Sequence, residues 1–78
     1  MHKINDNIAR SFIDISTTYP QSYIVVEVAD AQNGEEWGRV VFLCDTFDEA
    51  WEAGTQETQK QTIILEGIDR MNTMGVVL

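Results

Sequence analysis

The 78-residue sequence has little of the material that several protein classes require. It contains one cysteine and one histidine, so it cannot form an internal disulfide and supplies too few such ligands for a zinc cluster. It has no run of about 20 apolar residues, the length that a membrane-spanning helix needs. These absences weigh against disulfide scaffolds, zinc modules and membrane proteins. The length predicts one small domain, residues 1–78.

Basic residues are also scarce. Five lysines and arginines stand against 13 acidic residues, which gives a net charge of −8. The whole excess lies between Glu27 and Glu57, because the segments on either side carry equal numbers of acids and bases. A charge of this sign disfavours direct binding to nucleic acid or to anionic lipid. The lone cysteine and the lack of a signal-peptide pattern predict a cytoplasmic protein.

The N-terminal segment carries apolar residues at helical spacing. They recur every three or four positions: Ile4, Ile8, Phe12 and Ile15. This spacing predicts a helix from about Lys3 to Ile15. The helix is expected to end before Pro20, because the residue ahead of a proline is displaced from the α region.

Two segments rich in β-branched and aromatic residues, 23–28 and 40–43, flank an Asn33-Gly34 pair. This pair favours a tight turn and predicts an antiparallel β-hairpin, in which Ile24 faces Leu43 and Val26 faces Val41. Both faces of the hairpin are largely apolar, and one helix layer covers only one of them. We therefore expect a homodimer, with these interface candidates: Tyr23, Val25, Val40 and Phe42.

Thr46 and Glu49 form a capping box, which predicts the start of a second helix. Phe47 and Trp51 are expected to face the core, with the acidic residues on the solvent side. Residues 62–74 are ambiguous: their apolar spacing favours a continued helix, and the alternative is a third strand near 62–66. The fold class predicted is α+β, a small α-β-β-α domain with one antiparallel β-hairpin packed against helices.

The acidic residues of the hairpin and the second helix are the candidate partner-binding surface: Glu35, Glu36, Asp45, Asp48, Glu49 and Glu52. Trp37, which follows two of them, is a candidate anchor. These carboxylates occupy similar environments, whereas an acid/base pair needs unlike ones. We expect no enzyme activity, no cofactor and no metal site, and Cys44 is predicted to be a buried structural residue.

In size, acidity and lack of catalytic residues the chain resembles the small proteins that phages and mobile elements encode to block host machinery, including anti-CRISPR proteins. A turn of HicB-type antitoxins is similar to the helix start that follows the hairpin: Asp45-Thr46-Phe47-Asp48-Glu49-Ala50.

The resulting hypothesis is a non-catalytic acidic interaction module, an inhibitor or regulator that occupies a basic, nucleic-acid-binding site on a partner protein as a nucleic-acid mimic. One alternative is a structural or assembly subunit that acts through its homo-oligomer, with acidity serving solubility only. Another is a small-molecule binder that uses an apolar face of the hairpin.

Overall fold

The computed structural model describes residues 2–4, 6–32, 35–56 and 61–70. The elements follow one another in this order: β1 (His2–Lys3), β2 (Arg10–Ser11), α1 (Phe12–Thr18), β3 (Tyr23–Gln32), β4 (Glu35–Cys44), α2 (Phe47–Thr55) and β5 (Thr62–Glu66). Residues 68–70 are also helical. The strands form one antiparallel sheet in which β5 lies beside β3, and β1 and β2 share the other edge of the β3–β4 pair. The α+β class and the central hairpin are confirmed.

A β-bulge changes the register of the β3–β4 hairpin. Ile24 pairs with Leu43 as expected, whereas Val26 pairs with Val40 instead of Val41. Because Val41 is an extra residue on β4, the side chains of Val40 and Val41 exchange faces relative to the prediction. Val41 joins the core beneath α2, and Val40 joins the core beneath α1. The Asn33-Gly34 turn itself lies outside the described residues.

The predicted helix over residues 3–15 starts too early and is confirmed only from Phe12 onward. Residues 2–3 and 10–11 pair with β4, and α1 begins only at Phe12. Asp6 accepts a hydrogen bond from the Ile8 backbone N–H at 3.1 Å, a local bond that competes with helix formation. Ser11 caps α1 by accepting from the Asp14 N–H at 3.2 Å. The apolar spacing therefore spans an extended segment and a short helix.

Two helices cover opposite faces of the sheet. The core on the α1 side consists of Ile15, Ile24, Val26 and Val40. The core on the α2 side consists of Val25, Val41, Phe42, Cys44, Ala50 and Ala53. Neither helix, nor any other helix in the described ranges, has the length and hydropathy needed to cross a lipid bilayer.

The expectation of an uncovered hairpin face is wrong. Three of the proposed interface residues, Val25, Val40 and Phe42, are buried within one chain, and Tyr23 is half-buried. Both edges of the hairpin are also paired, one with β5 and the other with β1 and β2. The argument for a homodimer, an uncovered apolar face, therefore no longer applies, and the homodimer stays a prediction.

Residues 62–66 form a strand, the alternative to the favoured helix. β5 pairs with β3 from Tyr23 opposite Glu66 to Glu27 opposite Thr62. The side chains of β5 are half-buried and pack against a core on each face of the sheet, so its apolar residues are consecutive and their pattern matches that of a helix over so short a span. Residues 57–60 and 71–78, which include the rest of the predicted helix and an apolar tail, lie outside the described part of the chain.

The end of β5 is held against residues 19–22. Ser16 Oγ donates to the Glu66 carbonyl at 2.9 Å, and the Gly67 N–H donates to the Ser22 carbonyl at 2.8 Å. Gly67 is buried, and a Cβ atom there would lie 2.3 Å from the carbonyl oxygen of Pro20. The close approach of the two backbones therefore requires glycine at this position.

Candidate functional site

Helix α2 presents small residues to the sheet and large residues to solvent. Ala50 and Ala53 are fully buried, whereas Phe47 is 49 % exposed and Trp51 is 62 % exposed. The prediction that Phe47 and Trp51 face the core is therefore wrong. Gly54 also faces the sheet, where an added Cβ would lie 3.7 Å from Thr62 Oγ1. Small residues at the contact let the helix lie close to the sheet, and the aromatic rings occupy its margin.

The rings form a continuous line along that margin, the aromatic row (Tyr23, Phe47 and Trp51). Phe47 and Trp51 stack with their centroids 6.4 Å apart, and Tyr23 meets Phe47 edge-on at 6.0 Å. The guanidinium carbon of Arg70 lies 4.4 Å from the Tyr23 centroid. Arg70 also donates to the carbonyls of Gln21 at 2.6 Å and of Asp45 at 3.0 Å. These bonds fix one end of the row, and Trp51 is its exposed end.

A groove of about 510 Å³ separates α2 from β5. It is lined by Phe47, Trp51, Gly54, Thr55, Thr62, Ile63 and Ile64. None of these side chains titrates near neutral pH, so the groove offers no acid, base or nucleophile of ordinary reactivity. Sequence reasoning missed the groove because it placed Phe47 and Trp51 in the core and residues 62–66 in a helix.

The capping box at the start of α2 is confirmed. The Glu49 N–H donates to Thr46 Oγ1 at 3.2 Å. In return, Glu49 Oε2 accepts from the N–H of Asp45, the residue before Thr46, also at 3.2 Å. Glu49 is half-buried and engaged in this turn, so its carboxylate serves the helix start.

The predicted acidic surface divides into two places. Asp45, Asp48 and Glu52 are exposed on α2 and the turn before it. Glu36 is exposed near the opposite end of β4, and the rise of an extended strand places it roughly 25–30 Å from Asp45 along the chain. The side chain of Glu35 lies outside the described part of the structure. Only the α2 group adjoins the aromatic row and the groove.

Trp37 does not join the α2 group. It lies on β4 between Ser11 of β2 and Ala29 of β3, and it is half-buried. Its indole Nε1 is buried and has no hydrogen-bond partner among the residues that the structure describes. Trp37 therefore lies apart from the acidic residues of α2, and its role as an anchor stays a prediction.

Cys44 is buried at the end of β4, as predicted. Burial, reinforced by the negative charge of Glu49 and then of Asp45, raises the pKa of the Cys44 thiol, although the N-terminal amine acts in the opposite direction. A buried thiol with a raised pKa is a weak nucleophile at neutral pH. Within the described ranges no three His, Cys, Asp or Glu side chains are grouped so that they could hold a metal ion.

No protein-family model matches the chain, and no curated protein or solved structure is significantly similar to it. The function is therefore inferred from α2, the aromatic row and the groove.

Proposed function

We propose that the protein is a non-catalytic interaction module that binds a basic surface of a partner protein through α2. The orientation of α2 carries this proposal, because the helix buries alanines and exposes Phe47 and Trp51 beside Asp48 and Glu52. Aromatic side chains dominate the energetics of many protein interfaces, and an exposed apolar patch with a polar rim is typical of such a site. The proposed contact consists of the exposed part of the aromatic row together with these acids.

Electrostatics favours a basic partner. Asp48 and Glu52 are four residues apart on a helix, so their Cβ atoms lie roughly 5–6 Å apart and the two charges repel each other. Neither carboxylate has a cationic partner among the described side chains. An arginine or lysine from another protein would relieve this repulsion, and complementary fields would speed the encounter.

The partner surface that we propose is one that otherwise binds nucleic acid, which would make the protein an inhibitor or regulator in the cytoplasm. Carboxylates on α2 would then compete with phosphates for the same cations. The acidic contact is narrower than the sequence suggested, because Glu36 lies at the other end of β4. We therefore assign it to Asp45, Asp48 and Glu52.

Affinity capture from the native host cell tests this proposal. The test variant is Asp48→Asn/Glu52→Gln, and the matched control is Asp14→Asn/Glu36→Gln, which removes the same charge from exposed positions elsewhere. We expect a protein that is captured at about 50 mM salt to be lost at about 300 mM salt. It should also be lost with the test variant and retained with the control. Equal capture by both variants would contradict the proposal.

The alternative, an assembly subunit acting through its homo-oligomer, is favoured by the exposure of Trp51 and Phe47. Charging Val25 or Phe42 cannot test it, because both residues are buried and such a change would unfold the chain. Sedimentation velocity at micromolar concentration distinguishes the two functions. A dimer that Trp51→Ala converts to a folded monomer would support the assembly function, and a monomeric wild type would refute it.

A further inference from the structure

The outer edge of β5 presents main-chain groups beside the groove. The Gly67 N–H donates to the Ser22 carbonyl at 2.8 Å, and the Val28 N–H donates to the Gln61 carbonyl at 2.9 Å. Bonded pairs alternate in an antiparallel ladder, so the odd-numbered residues of 61–67 direct their N–H and C=O groups toward β3. The residues that direct theirs outward are therefore Thr62, Ile64 and Glu66.

One contact supports this assignment. Ser16, which lies on α1 and not on β3, donates to the Glu66 carbonyl at 2.9 Å, as expected for a carbonyl that is directed away from β3. The main-chain groups of Thr62 and Ile64 that face outward have no partner within the described ranges, where β5 pairs with β3 alone. A strand edge with free N–H and C=O groups is a template for another strand.

The groove would receive the side chains of such a strand. Alternate side chains of an added strand point to the α2 side of the sheet, where Ile64 and Trp51 line the groove. Apolar side chains suit that position, because none of the lining groups is charged. Asp48 lies three residues before Trp51 and four before Glu52, so its side chain neighbours both on the helix surface, and a flanking arginine or lysine over the indole ring can approach the Asp48 carboxylate first and that of Glu52 beyond it.

We infer that β5 and the groove bind an extended segment of the partner protein by strand addition. This inference rests on the proposed function, because it specifies how the partner binds at that surface. The segment carries apolar residues flanked by arginine or lysine. A second copy of this chain is a poorer occupant, since it would bring a net charge of −8 and its own α2 acids to the same edge.

Amide hydrogen exchange of the free 78-residue chain is the first test. The N–H groups of Ile63 and Leu65 should be protected by β3, and those of Thr62 and Ile64 should exchange rapidly. Protection of Thr62 and Ile64 in the free protein would overturn the inference. In that case the edge is already occupied, either by another part of the chain or by a second copy.

A peptide probe is the second test. The probe has five valines between two pairs of arginines, and its binding is followed by NMR of the 78-residue chain. It should shift the Thr62 and Ile64 amide signals and slow their exchange. Two matched peptides, one with glutamate for arginine and one with proline at alternate valines, should each bind at least about fivefold more weakly. Equal binding by the proline peptide would rule out strand addition.

Paired variants locate the site and separate the two proposals. Trp51→Ala should lower the affinity for the arginine peptide by about fivefold or more. Ile13→Ala, at a 75 % exposed position on α1, should leave this affinity unchanged. Equal effects of both variants would overturn the assignment to the groove. Partner capture that depends on Asp48 and Glu52, without peptide binding, leaves the proposed function intact and refutes strand addition. If the peptide binds but capture of the partner does not depend on Asp48 and Glu52, the strand site is supported and the acidic partner surface is refuted.

Discussion

Substitution of Gly67 tests the junction between β5 and residues 19–22. An alanine Cβ at this position would lie 2.3 Å from the Pro20 carbonyl oxygen and 2.4 Å from that of Tyr19. Both are backbone atoms, so no side-chain rotation can relieve the contact. Because the Gly67 N–H bonds to Ser22 within the same junction, Gly67→Ala must displace β5 from these residues.

The expected loss can be estimated from the size of the clash. Overpacking a well-packed site costs about 1–3 kcal/mol, and contact with backbone places this case near about 3 kcal/mol. In a domain of this size, a loss of about 3 kcal/mol lowers the Tm by about 12–24 °C. Thermal unfolding followed by far-ultraviolet circular dichroism measures the change.

Gly54→Ala is the matched control. Its Cβ would lie 3.7 Å from Thr62 Oγ1 and 3.9 Å from Val25 Cγ1, which are ordinary contacts. Alanine is favoured over glycine within a helix by up to about 1 kcal/mol, so this variant should melt a few degrees higher than the wild type. If Gly67→Ala melted as high as Gly54→Ala, the described approach of β5 to Pro20 would be wrong.

Three further predictions concern buried groups. Ile15→Ala should lower the free energy of unfolding by about 2–5 kcal/mol, because Ile15 is fully buried. Ile13→Ala, at an exposed position of the same helix, should lower it by less than about 0.5 kcal/mol. Similar urea midpoints for these two variants would contradict the orientation of α1. Ser16→Ala leaves the Glu66 carbonyl without its donor and should cost about 1–2 kcal/mol in the same assay, whereas an unchanged midpoint would show that this bond contributes nothing. The raised pKa of Cys44 stabilises the fold below about pH 8.5, and this contribution is lost as the pH rises toward the folded-state pKa, because the unfolded thiol ionises first. Cys44→Ala should therefore reduce the loss of stability above about pH 8.5, and an identical slope would exclude Cys44 as its source.

Local chemistry was the predictable part of this fold. The β-branched residues of β3 and β4 indicated the hairpin, and Thr46 with Glu49 located the start of α2 to the residue. These signals act between neighbours in the sequence or across one strand pair, so the sequence contains them directly.

Features set by distant parts of the chain were not predictable in the same way. The spacing of Ile4, Ile8 and Phe12 matched a helix, yet residues 2–3 and 10–11 pair with β4 and Asp6 accepts a local hydrogen bond, so the helix begins only at Phe12. The extra residue at Val41 follows from no turn or propensity signal in the sequence. Tertiary pairing outweighed local periodicity in both cases.

The candidate site was only partly predictable. Sequence reasoning identified Asp45, Asp48 and Glu52 as exposed, because acids at helical spacing seldom face a core. It misplaced Trp51, because the close approach of α2 to the sheet through Ala50 and Ala53 is a property of the assembled layers.

The strand order also has a kinetic consequence. β3 and β4 are consecutive in the chain, whereas β5 returns to β3 only after the whole of α2, so its pairing closes a long loop. We expect the hairpin to form before the folding transition state and β5 to dock after it. Substitutions in β5 should then accelerate unfolding and leave the folding rate nearly unchanged. A ligand held along β5 would accordingly prolong the lifetime of the native state.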